Sequence, residues 1–264
     1  MAKGVSAKFV SYEETLPKVL SLIKFDQELK KYDSIVIKPS LKNLFSHNTS
    51  ASCVESLLNF CLQHKSPQAK VYLAEGSDGD ETLEVFEAFN YKKIAEKYNV
   101  GLIDINTSES ELIQKPNFLK FESINYPKIL LNSYVISLPR LFPDSETEMQ
   151  GALANMLGAF PSMYYQGFFN PKKTKIRKWP IKYSIHDIVQ CKMPDLAIID
   201  ASDYGKIFIG NPLEMDKQAS NLIGKDWKAI SHLKIIEETF QKEQMQALAR
   251  AAAKQEKKEE QQDF

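Results

Sequence analysis

The sequence predicts an α/β protein built on a mostly parallel, Rossmann-like sheet flanked by helices, with a long aromatic and basic excursion and a C-terminal helical tail. Three observations predict it. Short runs rich in β-branched residues alternate with stretches whose apolar residues recur near period 3.6. The strand-like runs are apolar throughout, as expected of strands covered by helices on both faces. The chain has 264 residues and is 43% hydrophobic, enough for one large core or two small ones.

Ser34–Lys38 (SIVIK) reads as a strand closed by Pro39. Cys53–His64 reads as a helix, with Val54, Leu57, Leu58, Cys61 and Leu62 on one stripe. Ala69–Ala74 (AKVYLA) is a second strand, Glu75–Asp80 a turn and Thr82–Tyr98 a helix. Val100–Asp104 (VGLID) is a third strand. Strands separated by helices in this way imply βαβ crossovers and parallel pairing. Leu119–Glu122 and Lys128–Leu131 read as short strands, Ser133–Ser137 as a buried one and Gln150–Gly158 as a helix. From Phe160 to Tyr183 the chain is rich in aromatics and prolines and poorly periodic, so it is read as a long loop. A helix at Ser184–Cys191, strands at Pro194–Asp200 and Lys206–Ile209, and helices at Leu213–Ile223 and Lys228–Phe240 complete the pattern. Gly224 suits a helix C-cap. We therefore expect one α/β domain over 1–240 and a projecting tail over 241–264, helical in composition and disordered at its end.

Composition narrows the function. Lys+Arg and Asp+Glu are both 34, so wholesale electrostatic binding to nucleic acid or an anionic membrane is disfavoured. Cys53, Cys61 and Cys191 form no CxxC pair and match neither a disulfide framework nor a zinc or iron–sulfur site. Cys53 and Cys61 fit small buried hydrophobes. No metal site is expected. Met1–Lys8 lacks the apolar core of a signal peptide, and no run approaches the ~18 apolar residues of a membrane span. The expected compartment is the cytoplasm.

Ligands of open parallel sheets bind beyond the carboxyl ends of the strands. That rule points to the segments after Lys38, Glu75, Asp104, Leu138 and Asp200. In Glu75–Thr82 (EGSDGDET), Gly76 and Gly79 allow close backbone approach, and the following helix N-terminus can hold an anion. Ser77 and Asp80 belong to the same turn; Asp80 also suits a helix cap and Glu81 the helix dipole. The loop is not a P-loop, because no Gly-Lys-Ser/Thr closes it. Lys38 must find an acid or water, because a lone buried ammonium is costly. Asp104 and Asp200 end strands in the same manner and can orient a hydroxyl, hold a metal or cap a turn. The stretch 171–182 carries six basic residues and Trp179, which fits a solvated loop or a surface that binds a polyanion and stacks a base. His186 precedes Asp187, but no Ser/His/Asp or Cys/His motif accompanies it, and it is assigned a structural role.

The order of these motifs resembles the domain of unknown function 362 family. The resemblance runs from about Asp33 to His232. Ser34–Leu41 (SIVIKPSL) is similar to the family's strand ending in Ile-Lys-Pro-Asn-Leu, with Ser40 for Asn. Val135–Leu141 (VISLPRL) resembles its Ile-Ser-x-Pro-Lys-Leu, and Gly151–Gly158 (GALANMLG) its Gly-Ala-x-Lys-Asn-x-x-Gly. Pro194–Asp200 and Ile209–Gly224, through Asn211, Pro212 and Asp216, match later motifs. The chain departs at Arg140 for Lys, at Ala154 for Lys, and at Phe142-Pro143-Asp144, where relatives carry a His. Many relatives carry ferredoxin-like cysteines, which implies redox work; this chain has no such set, so no iron–sulfur cluster is expected in it, and its cofactor is unknown.

Two functions follow. The first is a ligand-binding or catalytic crevice walled by Lys38, Ser40, Glu75, Gly76, Ser77, Gly79, Asp80, Asp104, Arg140, Asn155 and Asp200, with Lys38 and Arg140 holding an anionic small molecule. The second is a non-catalytic assembly protein that docks a protein or nucleoprotein through the 163–179 loop and the C-terminal helix. Nucleic acid is left open by the basic 171–182 loop; no membrane partner is expected. A concave pocket joining Lys38, Glu75 and Arg140 favours the first. A filled crevice with exposed Phe168, Phe169 and Trp179 favours the second.

Overall fold

The computed structural model describes residues 4–169 and 171–260, with side chains to residue 249. The start at Met1–Lys3 and the disorder expected at the chain's end lie outside the described residues.

In chain order the strands are β1 (Val5–Lys8), β2 (Ser34–Pro39), β3 (Lys70–Glu75), β4 (Gly101–Asp104), β5 (Ser110–Ile113), β6 (Ile124–Pro127), β7 (Tyr134–Leu138), β8 (Leu196–Ala201) and β9 (Lys206–Gly210). The helices are α1 (Tyr12–Leu22), α2 (Phe25–Glu28), α3 (Ala51–His64), α4 (Thr82–Ala88), α5 (Tyr91–Tyr98), α6 (Lys128–Leu131), α7 (Ser162–Tyr165), α8 (Ile181–Cys191), α9 (Pro212–Ser220) and α10 (Ser231–Glu260). Seven strands form one sheet in the order β1-β9-β8-β7-β2-β3-β4. The five from β8 to β4 run parallel; at one edge β9 is antiparallel to β8, and β1 is antiparallel to β9. β5 and β6 form a separate antiparallel pair.

The parallel register brings the predicted strand ends to one rim, with Lys38 opposite Ser137, Pro39 opposite Leu138, and Glu75 opposite Asp104. Successive residues of a strand face opposite sides, and both sides are covered. Ile35, Ile37, Val71, Leu73, Ile136 and Ile198 pack with residues of α1, α3 and α5. Val36, Ala74, Val135, Ala197 and Ile199 pack with residues of α8, α9 and α10. The unbroken apolar runs are explained by this double cover.

Several elements differ from the sequence expectation. The 82–98 helix is two helices, because Asn90 adopts φ 63 and ends the first run; Asn tolerates the left-handed region better than most residues. Leu119–Glu122 is not a strand. The N–H groups of Leu119, Lys120 and Phe121 donate to the buried Asp187 carboxylate at 2.8, 2.9 and 3.0 Å, so no ladder can use them. Lys128–Leu131 is a helical turn (α6), and the strand precedes it as β6. Residues 150–158 give turns and a 3₁₀ helix at Ala154–Ala159 rather than an α-helix. Buried Asp216 takes the N–H groups of Ala152 and Leu153 at 2.6 and 2.9 Å, and Gly151 leaves room for that carboxylate. The 160–183 stretch also folds back in part: Phe160, Lys173 and Ile176 are buried. The tail joins the preceding helix as α10, with Leu233 and Ile236 buried and Met245 and Leu248 exposed.

His186 is buried on α8, with Nδ1 2.7 Å from Asp187 and Nε2 2.9 Å from Thr239 Oγ1 on α10. This chain of contacts ties α10 to α8. Thr239→Val keeps the shape and removes the hydroxyl. We expect a loss of about 1–2 kcal/mol in urea unfolding, with faster amide exchange along α10. An unchanged midpoint and unchanged exchange would show that the contact does not hold α10.

Candidate functional site

β2 and β3 deliver Lys38 and Glu75 to the centre of the rim. Both are buried, and Lys38 Nζ meets Glu75 Oε1 and Oε2 at 2.7 and 2.9 Å. The third ammonium proton goes to the Asn155 carbonyl at 2.7 Å. Glu75 also accepts the N–H of Gly76 at 2.8 Å and of Leu41 at 3.3 Å. Asn155 closes the ring: its Nδ2 donates to Lys38 O and Ser137 Oγ, both at 3.0 Å. Burial pulls the Lys38 ammonium below its ordinary lysine value, against the opposing pull of Glu75. The donors of Lys38 are thus used within the chain. Gly158 presses against this pair, since a Cβ there would lie 2.0 Å from Glu75 Oε1 and 2.6 Å from Lys38 Nζ.

A second lysine enters from the basic run. Lys173 is 1% exposed, and its Nζ donates to Gly76 O at 2.7 Å and Gly158 O at 3.2 Å. Burial lowers its pKa to about 7, with Glu75 and Asp78 opposing the shift. The segment around it is pinned. Asp78 accepts Lys173 N at 2.7 Å and Arg177 Nη2 at 2.7 Å, and Arg177 Nε meets Glu146 at 2.5 Å. Burial alone would raise Asp78, but the Lys173 N–H and the Arg177 charge hold it below the usual carboxylate range. Lys42 lies 3.3 Å from Glu146. The mouth is therefore a closed network of alternating charges.

What space remains is small. The cavity at this rim is about 40 Å³, lined by Ser40, Glu75, Asn155, Lys173 and Arg177 among others. That is room for no more than about three waters. Ala154 lines it too, so the amine in this cavity comes from Lys173 rather than from position 154.

Of the other predicted residues Ser40 and Gly76 line this cavity, and Ser77, Gly79, Asp80, Asp104, Arg140 and Asp200 do not. Ser40 accepts from Gln150 Nε2 at 3.1 Å, and Ser77 Oγ donates to Leu41 O at 2.9 Å. Gly79 takes φ 104, a conformation that favours glycine. Asp80 does not cap α4; it accepts Leu44 N at 2.9 Å, and Glu81 stands at the cap position without a side-chain bond. Asp104 caps its own turn through Asn106 N at 2.9 Å and borders a second hollow of about 180 Å³ with Ser77, Asp80 and Ser162. Arg140 forms a two-point pair with Asp203, and Asp200 accepts Tyr12 Oη at 2.9 Å. Neither Arg140 nor Asp200 lines the central cavity. The expected joint grip of Lys38 and Arg140 on one anion is not what the geometry brings together.

Two features escaped sequence reasoning. Lys173 sat inside a run that reads as solvated loop, and its burial with contacts to Gly76 and Gly158 identifies it. A groove of about 660 Å³, walled by Phe25, Tyr32, Tyr134 and Asp195, lies at the opposite rim, where the strand-end rule does not look. Among the described residues no cluster of three or more His, Cys, Asp or Glu could hold a metal ion. No described helix is long and apolar enough to cross a membrane. The three cysteines are buried, and burial raises each thiol above its usual range.

The family model for a domain of unknown function (DUF362) matches residues 17–230, most of the chain. This chain belongs to the DUF362 family. The match spans β2 to β9 and the Lys38–Glu75–Asn155 ring. In this DUF362 chain the motif residues Gly151, Asn155, Gly158 and Asp216 all act as packing or hydrogen-bonding parts of the rim. No curated protein matches the chain.

Proposed function

We propose that this DUF362 chain is a non-catalytic binding protein that docks a protein or nucleoprotein partner through its 163–179 loop and C-terminal helix. The filled crevice carries this reading. Lys38 and Glu75 satisfy each other, Lys173 fills the space beside them at the Gly76 and Gly158 carbonyls, and about 40 Å³ is left, against the several hundred Å³ of ordinary small-molecule sites. The cations that an anionic ligand would need are paired or apart. Outside, Phe168 and Phe169 are 94% and 95% exposed at the tip of a loop closed by Gly167 N to Lys172 O. Met163 and Trp179 are exposed on the same segment, and α10 presents Met245 and Leu248 to solvent. Large apolar side chains gathered on an exposed loop favour an interaction surface. On this reading the parallel strands are a Rossmann-like scaffold, the chain works in the cytoplasm, and it carries no iron–sulfur cluster of its own.

The test is native mass spectrometry of the protein isolated from its source, beside a Phe168→Ser/Phe169→Ser variant. The wild-type chain is expected in a complex with a macromolecule, and the variant free of it at an unchanged melting temperature. A small molecule retained in the crevice, or a complex indifferent to the substitutions, would overturn the reading.

A further inference from the structure

Resting on that reading, we infer that the face built by Lys120, Lys178, Trp179, Lys182 and Tyr183 is a docking surface for single-stranded nucleic acid. The basic run divides in two. Lys173 and Arg177 turn inward to the crevice network. Lys178 and Lys182 instead gather with Lys120 around two aromatic rings. Lys120 Nζ lies 4.8 Å from the Trp179 ring centre and 5.1 Å from that of Tyr183. Lys178 lies 5.8 Å from Trp179, and Lys182 lies 5.2 Å from Tyr183. No described carboxylate pairs with any of these three lysines, whereas Lys42, Lys128, Lys192 and Lys217 all have one.

The crowding is built in. Asp187 fixes the backbone of Lys120 through the three N–H bonds from residues 119–121, and the same helix, α8, carries Lys182 and Tyr183 in its first turn. That turn opens without a side-chain cap, which adds the positive end of the helix dipole. Three ammonium groups gathered around two rings, with no carboxylate in ion-pair contact, make a positive surface that suits a polyanion. Trp179 is 43% exposed, leaving ring surface on which a base can stack. Flexible single strands present phosphates and unstacked bases together; a duplex hides its bases, and an acidic polypeptide has none.

The test uses the full chain and fluorescence anisotropy with a labelled twelve-nucleotide oligouridylate, a duplex of equal length and polyglutamate of equal charge. The single strand is expected to bind at low salt, with an affinity that falls as salt rises, with a log–log slope of about −2 for three phosphate contacts. Lys120→Glu/Lys178→Glu should weaken it at least tenfold and flatten that slope. Trp179→Ala should weaken it about fivefold or more and leave the slope unchanged, as expected of stacking. Each variant should keep the wild-type melting temperature; if Trp179→Ala does not, Trp179→Phe takes its place with binding kept. The inference is overturned if the wild type binds no single strand, if polyglutamate or duplex binds equally well, or if Trp179→Ala changes nothing. Such a result leaves the Phe168/Phe169 test intact, so the two can fail separately.

Discussion

Lys38→Ala should destabilise the protein by about 3–5 kcal/mol, because it strands a buried carboxylate. Glu75 is enclosed by Gly158, Leu41 and Gly76, and without the ammonium it keeps only the two backbone N–H bonds. It can then be neutralised by taking up a proton, or the rim must open. Truncation also leaves the Asn155 carbonyl without its 2.7 Å donor. The measurement is urea unfolding of Lys38→Ala beside Lys38→Met/Glu75→Leu. The double variant removes both charges at similar volume and should recover most of the loss, since a buried pair replaced by apolar residues is often neutral or better. A Lys38→Ala protein as stable as wild type would mean that the pair is not a structural tie, and would return Lys38 to the role of ligand-binding cation.

That test turns on a point the sequence left open. The strand ending at Lys38 and the turn beginning at Glu75 are legible because the SIVIK run stops at Pro39 and the AKVYLA run at the Glu75-Gly76 turn, and the parallel alternation places both ends at one rim. What spacing cannot show is that Lys38 and Glu75 lie on adjacent strands at a matching height, so that each uses up the other. The same holds for Asp187. As a neighbour of His186 it looked incidental, yet it collects three amides from a segment whose Phe and Leu content reads as strand. Asp216 does likewise to residues 152 and 153, turning a helical stripe into a 3₁₀ turn. In each case a buried carboxylate from distant sequence captures backbone donors, and local propensity yields to it. The basic run 171–182 was legible as charge, but the division between inward Lys173 and outward Lys178 and Lys182 depends on how the loop folds over the crevice.

Lys173 gives the second large effect, and it depends on pH. Its pKa of about 7 in the folded chain lies below the 10.5 of an ordinary lysine. Below pH 7 the amine is charged in both states, and the full penalty of burying that charge is present. Between about 7 and 10.5 the unfolded chain binds a proton that the folded chain does not, so stability rises with pH through that window. At one pKa unit per 1.36 kcal/mol, the gain from pH 7 to pH 8.5 is about 2 kcal/mol. A neutral amine suits the site, because its two N–H groups match the two carbonyls of Gly76 and Gly158. Cys61 and Tyr91, whose folded pKa values are raised by burial, pull stability the other way at higher pH. The readout is therefore the difference between wild type and Lys173→Met, taken from urea unfolding at pH 6 and pH 8.5. The wild type should gain about 2 kcal/mol on the variant between those values. A constant difference would mean that Lys173 keeps its proton in the folded chain, and that the rim tolerates a second buried cation beside Lys38.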